Sequence, residues 1–126
     1  AVGRSFDHAI AAFIRDCEAR GLSDKILLVC CGEMGRTPKL NKRGGRDHWA
    51  RLAPLLLYGG DMSGGRVIGQ SDKNGGEPNS TAYNPGHLIS TILRTVMDPG
   101  QVRLMPGVPQ EITQLLNHAP IDGWGV

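Results

Sequence analysis

Phe6, Ile10, Phe13, Ile14 and Cys17 recur at the i, i+4, i+7, i+8, i+11 spacing of one helical face, which predicts an amphipathic helix over Phe6 to Arg20. Gly21 fits the left-handed residue that closes such a helix. Ile26 to Cys31 is a continuous apolar run without alternation, the pattern of a strand covered on both faces. Polar positions then dominate from Gly32 to Ala53, and structureless loops of this length are uncommon in compact domains and often functional. Pro54 to Tyr58 reads as a second buried strand, Gly59 to Gly65 as a turn, Arg66 to Gly69 as a short strand and Gln70 to Tyr83 as loop. Asn84-Pro85 has the chemistry of a helix start, an N-cap followed by a first-turn proline. Leu88, Ile89, Ile92, Leu93, Val96 and Met97 carry a helical stripe up to Asp98, where Pro99-Gly100 stops it. A last short helix is predicted over Gln110 to Asn117, with Ile112, Leu115 and Leu116 inward.

This alternation of helices and apolar strands predicts an α/β fold with a partial, mainly parallel sheet flanked by helices. Two or three strands are too few for a complete doubly wound sheet, and the chain opens in a helix without an initiator Met. Both features read as a portion of a larger domain, with residues 1–126 as a single unit. An exposed sheet edge would make such a portion prone to self-association.

Composition narrows the function classes. The formal net charge of +2 over 126 residues, with scattered basic positions, argues against a nucleic-acid binder. No stretch is long and apolar enough to span a membrane, and the first residues do not form a secretory leader. Glycine, at 18 of 126 residues, is about twice its average usage of roughly 7%, and its clusters between apolar runs mark turns. The three cysteines make no disulfide framework; Cys17, Cys30 and Cys31 read as small buried hydrophobes.

The candidate chemistry lies where the first strand ends, because ligands collect beyond the carboxyl ends of strands in open α/β sheets. Gly32-Glu33-Met34-Gly35-Arg36-Thr37-Pro38 leads to Gly44-Gly45-Arg46-Asp47-His48-Trp49. Glu33, fixed by a rigid strand end, suits a metal ligand or general base; it suits equally a carboxylate paired with Arg36 or Arg46. Asp47 and His48 offer oxygen and nitrogen donors that fit zinc or manganese, or a hydrogen-bonded structural role. Arg36 and Arg46 suit bidentate contact with an anion or neutralisation of the nearby carboxylates. Trp49 reads as an anchor. His8 and His118 read as surface residues, His87 as a surface residue or a ligand from a second element, and Thr37-Pro38 as a turn. No Ser-His-Asp or Cys-His arrangement stands out.

These segments, together with Gly65-Arg66-Val67-Ile68-Gly69-Gln70-Ser71-Asp72, the Arg20 to Lys25 connection and Pro85 to Thr91, resemble a bacterial family catalogued as domain of unknown function 1501. The resemblance covers nearly the whole chain and is to the C-terminal third of such proteins. That family resembles the alkaline phosphatase and sulfatase superfamily, which implies an α/β sandwich and hydrolysis of phosphate or sulfate esters at one or two metals. It further implies a divalent metal (zinc, manganese, magnesium or calcium), an anionic ester substrate, an extracytoplasmic parent protein, and an upstream portion of that parent as partner. By that analogy Glu33 takes a ligand carboxylate position and His48 the later imidazole, with Asp47 third and Arg36 and Arg46 on the anion. Met34 stands where the superfamily has a paired His, and Cys31 where relatives often have a small polar residue. The nucleophile lies upstream, so these 126 residues alone are expected to be inactive.

Overall fold

The computed structural model describes residues 2–62 and 64–123. Eight elements follow in order: α1 (Val2–Ala19), β1 (Leu27–Cys31), β2 (Gly35–Arg36), β3 (His48–Trp49), β4 (Leu55–Gly59), α2 (Pro85–Val96), α3 (Pro99–Leu104) and α4 (Gln110–Leu115). The fold is α/β, with two small sheets.

The predicted strand pair forms, but it is antiparallel. Leu27 faces Gly59 and Cys31 faces Leu55, with three residue pairs between. The expectation of a mainly parallel sheet is therefore corrected for the described residues. The physical reason lies in the connection: a parallel pair needs a crossover, usually a helix, and between β1 and β4 the chain forms only turns and the β2–β3 ribbon. Opposed residues of an antiparallel pair share a face. Leu28 with Tyr58 and Cys30 with Leu56 therefore line one side, and Val29 with Leu57 and Cys31 with Leu55 the other. Gly59, at φ 85°, closes the pair, and a side chain there would overlap the Ile26 carbonyl.

α1 extends one turn beyond its predicted start and ends at Gly21, whose φ of 63° is the expected left-handed closure. α2 opens with Asn84 accepting from the Gly86 and His87 backbone N–H groups, while the His87 ring accepts from the Asn84 N–H. Pro99 does stop α2, and it also begins α3: Asp98 caps the new helix and the proline takes a position where its missing N–H costs nothing. Arg66 to Gly69 is irregular rather than a strand. Ser63, within the expected turn, lies outside the described residues.

The clearest packing joins α2 to the segment after α4. Ser90 and Thr91 are fully buried, yet both are satisfied: Ser90 Oγ donates to the His118 carbonyl at 2.7 Å, and Thr91 Oγ1 accepts from Ile121 N at 2.8 Å. Arg94 adds a bond to the Leu116 carbonyl at 2.9 Å. Buried hydrophobics are Cys17, Val102, Leu116 and Ile121.

The rest is open. The strands expected to be buried are half-buried or exposed, Cys31 included, and Phe6 and Phe13 on the apolar stripe of α1 remain 50% and 40% exposed. The accessible surface is 9232 Å² for 13.5 kDa. A self-contained monomer of that mass exposes about 6500 Å². Among the described residues, both sheet faces and the apolar stripe of α1 are thus only partly covered.

Candidate functional site

Glu33 follows Gly32 at the carboxyl end of β1, exposed. The two ion pairs among the described residues are Arg20–Asp16 and Arg51–Glu77, so Glu33 is not neutralised by Arg36 or Arg46. It lines a cleft of about 560 Å³ whose apolar floor includes Leu55, Leu57, Leu88 and Ile121 and whose polar wall includes Gln70, Ser80, Tyr83 and Asn84. Among the described residues, the cation on this cleft is Arg66, a residue the sequence pattern does not single out; its guanidinium also donates to the Gly123 carbonyl. A cleft of this size and mixed lining is suited to a small ligand.

The other predicted residues belong to the β2–β3 ribbon, where Arg36 pairs with His48 and Gly35 with Trp49. Gly35 is buried against the Leu52 carbonyl, with no room for a side chain. Arg46 turns back and donates to the carbonyls of Thr37, at 2.6 Å, and Pro38. Asp47 accepts from Asn41 Nδ2 at 2.8 Å, and Asn41 Oδ1 in turn accepts from the backbone of Arg43 and Gly45. Arg46 and Asp47 thus fasten the loop. Arg36 and His48 are exposed and none of these four residues lines the cleft of Glu33. Among the described residues, no three of His, Cys, Asp and Glu gather as a metal-binding group.

Trp49 is the anchor its position suggests. Its indole N–H donates to the Gly76 carbonyl at 2.7 Å, tying the ribbon to the polar segment that forms the cleft wall. That segment is built on Asp72, whose Oδ1 accepts from Gly76 N at 2.8 Å, while Asp72 N donates to the Glu77 carbonyl. The Gly76 N–H, followed by further backbone donors, holds the Asp72 carboxyl below its ordinary range despite partial desolvation. Asp72-Lys73-Asn74-Gly75-Gly76 has the composition of an Asx-nucleated turn, a signal that was present in the sequence.

Tyr83, His87 and His118 form a group that their spacing in the sequence does not announce. Their ring centroids lie 5.6 Å apart for Tyr83–His87 and 5.8 Å for His87–His118. They join the start of α2 to the residues after α4, a tertiary contact that spacing alone does not reveal.

A small α/β unit with a strand-end cleft is the class these observations define. Over residues 1–122 the chain matches the family described as "Protein of unknown function (DUF1501)", and it belongs to that family. No curated protein and no solved structure matches it.

Proposed function

We propose that this chain carries part of the site of a metal-dependent hydrolase of sulfate or phosphate esters, completed by an upstream portion of the same protein. The observation that carries this reading is the Glu33 carboxylate at the end of β1, without an ion-pair partner among the described residues, on a ligand-sized cleft that also presents Arg66. The family's resemblance to the alkaline phosphatase and sulfatase superfamily supplies the reaction class.

A carboxylate and an imidazole suit divalent zinc or manganese, so Glu33 would hold the metal at the cleft, with His48 and then Asp47, on the ribbon outside that cleft, as the further candidate ligands. A metal bound there would supply Lewis-acid polarisation of the ester. Glu33 contributes a charge held by a strand end, and Arg66 or the exposed Arg36 meets the anionic group. The remaining ligands and the nucleophile come from the upstream portion. Its elements would cover the apolar sheet faces and α1, which fits the surface left open here. An extracytoplasmic location for the parent belongs to the same reading, by resemblance.

A second reading is a non-catalytic anion- or protein-binding member of the same fold. It is favoured by the use of Arg46 and Asp47 as loop fasteners. Manganese, which prefers carboxylate oxygen, separates the two. Under the first reading, equilibrium dialysis shows Mn²⁺ bound by the chain and lost on Glu33→Ala. Under the second, Glu33→Ala leaves binding of inorganic sulfate intact and Mn²⁺ is not retained by either form.

A further inference from the structure

We infer that the turn at residues 39–43 is a docking point for an anionic lipid surface, separate from the Glu33 cleft and independent of the hydrolase reading. Its charge sets it apart. Residues 36–48 hold five Lys and Arg against one carboxylate, whereas the other positions of the chain hold nine against eleven. The chain is therefore slightly acidic elsewhere, and its positive charge is gathered on the β2–β3 ribbon and the loop between its strands. Within that loop Asp47 accepts from Asn41, and Arg46 is spent on the carbonyls of Thr37 and Pro38. Lys39, Lys42 and Arg43 are exposed, and among the described residues their side chains make no hydrogen bond or ion pair. Leu40 stands between these cations and is 63% exposed.

The turn holds its shape without those side chains. Asn41 N–H donates to the Gly45 carbonyl at 2.8 Å, and Gly44 N–H donates to the Asn41 carbonyl at 3.0 Å. Asn41 Oδ1 accepts from the backbone of Arg43 and Gly45 at 2.9 and 3.0 Å. All four bonds lie within residues 41–45. Gly44 takes a left-handed φ of 73°, and a Cβ added there would meet nothing within 4 Å. None of residues 39–43 lines the Glu33 cleft.

A projecting tip with no groove beside it offers little to grip a peptide, but it fits a flat, fluid surface. There the apolar Leu40 enters the boundary between headgroups and acyl chains, while the flanking cations stay with the lipid phosphates. Each such cation near an anionic leaflet strengthens binding about fivefold. Because the turn is already ordered, little of that gain is lost in fixing it.

The test is co-sedimentation of the chain with vesicles of phosphatidylcholine containing about 25% phosphatidylserine, beside vesicles of phosphatidylcholine alone. The expected result is binding to the anionic vesicles only, falling steeply between about 0.1 and 1 M salt. Lys42→Gln and Arg43→Gln should each weaken it about fivefold, and Leu40→Ser about tenfold. Lys73→Gln, which removes an exposed cation outside the turn, should leave it unchanged. Circular dichroism should show all four variants folded as the wild type, since none of these side chains supports the turn. Equal binding to both kinds of vesicle, or loss on Lys73→Gln as large as on Lys42→Gln, would overturn the inference. So would full binding by Leu40→Ser together with displacement by poly-glutamate, which would assign the turn to an acidic protein segment.

Discussion

Trp49 and Gly76 join two loops that neighbour each other only in the folded chain: the indole N–H of the β2–β3 ribbon donates to the carbonyl of the 70–80 segment at 2.7 Å. Arg51 and Glu77 reinforce the junction at 3.6 Å, a solvent-exposed pair of small weight. Trp49 therefore decides whether the wall of the Glu33 cleft keeps its place. Trp49→Phe keeps an aromatic body and removes the donor, and it should cost about 1 kcal/mol. Amide exchange at Gly76 should accelerate, because its bond to Asp72 loses its support. Unchanged exchange there would show that the segment holds itself.

Asp72 makes that segment acid-sensitive. Its folded carboxyl titrates below the ordinary value of 3.8, chiefly because Gly76 N–H donates to the charged form. A depressed folded pKa contributes stability that is complete above the unfolded value and is lost as pH falls through the folded one. The segment should keep its amide protection from neutral pH to about 5 and lose it below 4. Asp72→Asn should remove this pH dependence, as read by exchange at Gly76 across that window.

The start of α2 rests on the Asn84 side chain together with the His87 ring, which accepts from the Asn84 N–H. Asn84 Oδ1 accepts from Gly86 N at 2.9 Å and from His87 N at 3.3 Å. Asn84→Ala should lower stability by about 1 kcal/mol, measured by urea denaturation. Asn84→Ser should recover most of it, and failure of that rescue would locate the effect elsewhere than in the cap.

The helices were the most legible part of the chain. Phe6 to Cys17 and Leu88 to Met97 show their period directly, and Asn84-Pro85 announces its own cap. Strand direction was not legible. The apolar run Ile26 to Cys31 reads as buried, but burial says nothing of the partner's direction, and the ribbon that stands in for a crossover helix rests on Gly35 against Leu52. At the site, Glu33 could be placed because it follows a strand end. The opposite fates of Arg46, drawn to loop carbonyls, and Arg66, brought to the cleft from a distant turn, depend on tertiary contacts that leave no local pattern. The Tyr83, His87 and His118 cluster was hidden for the same reason.

The open surface has a consequence in solution. Among the described residues, β1 and β4 form a sheet of two with no strand on either outer edge, and apolar Leu55 and Leu56 remain partly exposed. Such edges pair with other chains. Sedimentation velocity should show the chain associating as its concentration rises, and charged substitution at Leu56 should reduce that association. A concentration-independent monomer would contradict it.

The most direct test of the central claim is the metal content of the purified chain by elemental mass spectrometry, beside Glu33→Ala and His48→Ala. The account predicts that each substitution lowers the divalent metal by about one equivalent per chain, the behaviour of a site whose ligands are few. The same metal content in all three proteins would contradict a metal site at Glu33 and leave the cleft to a binding role.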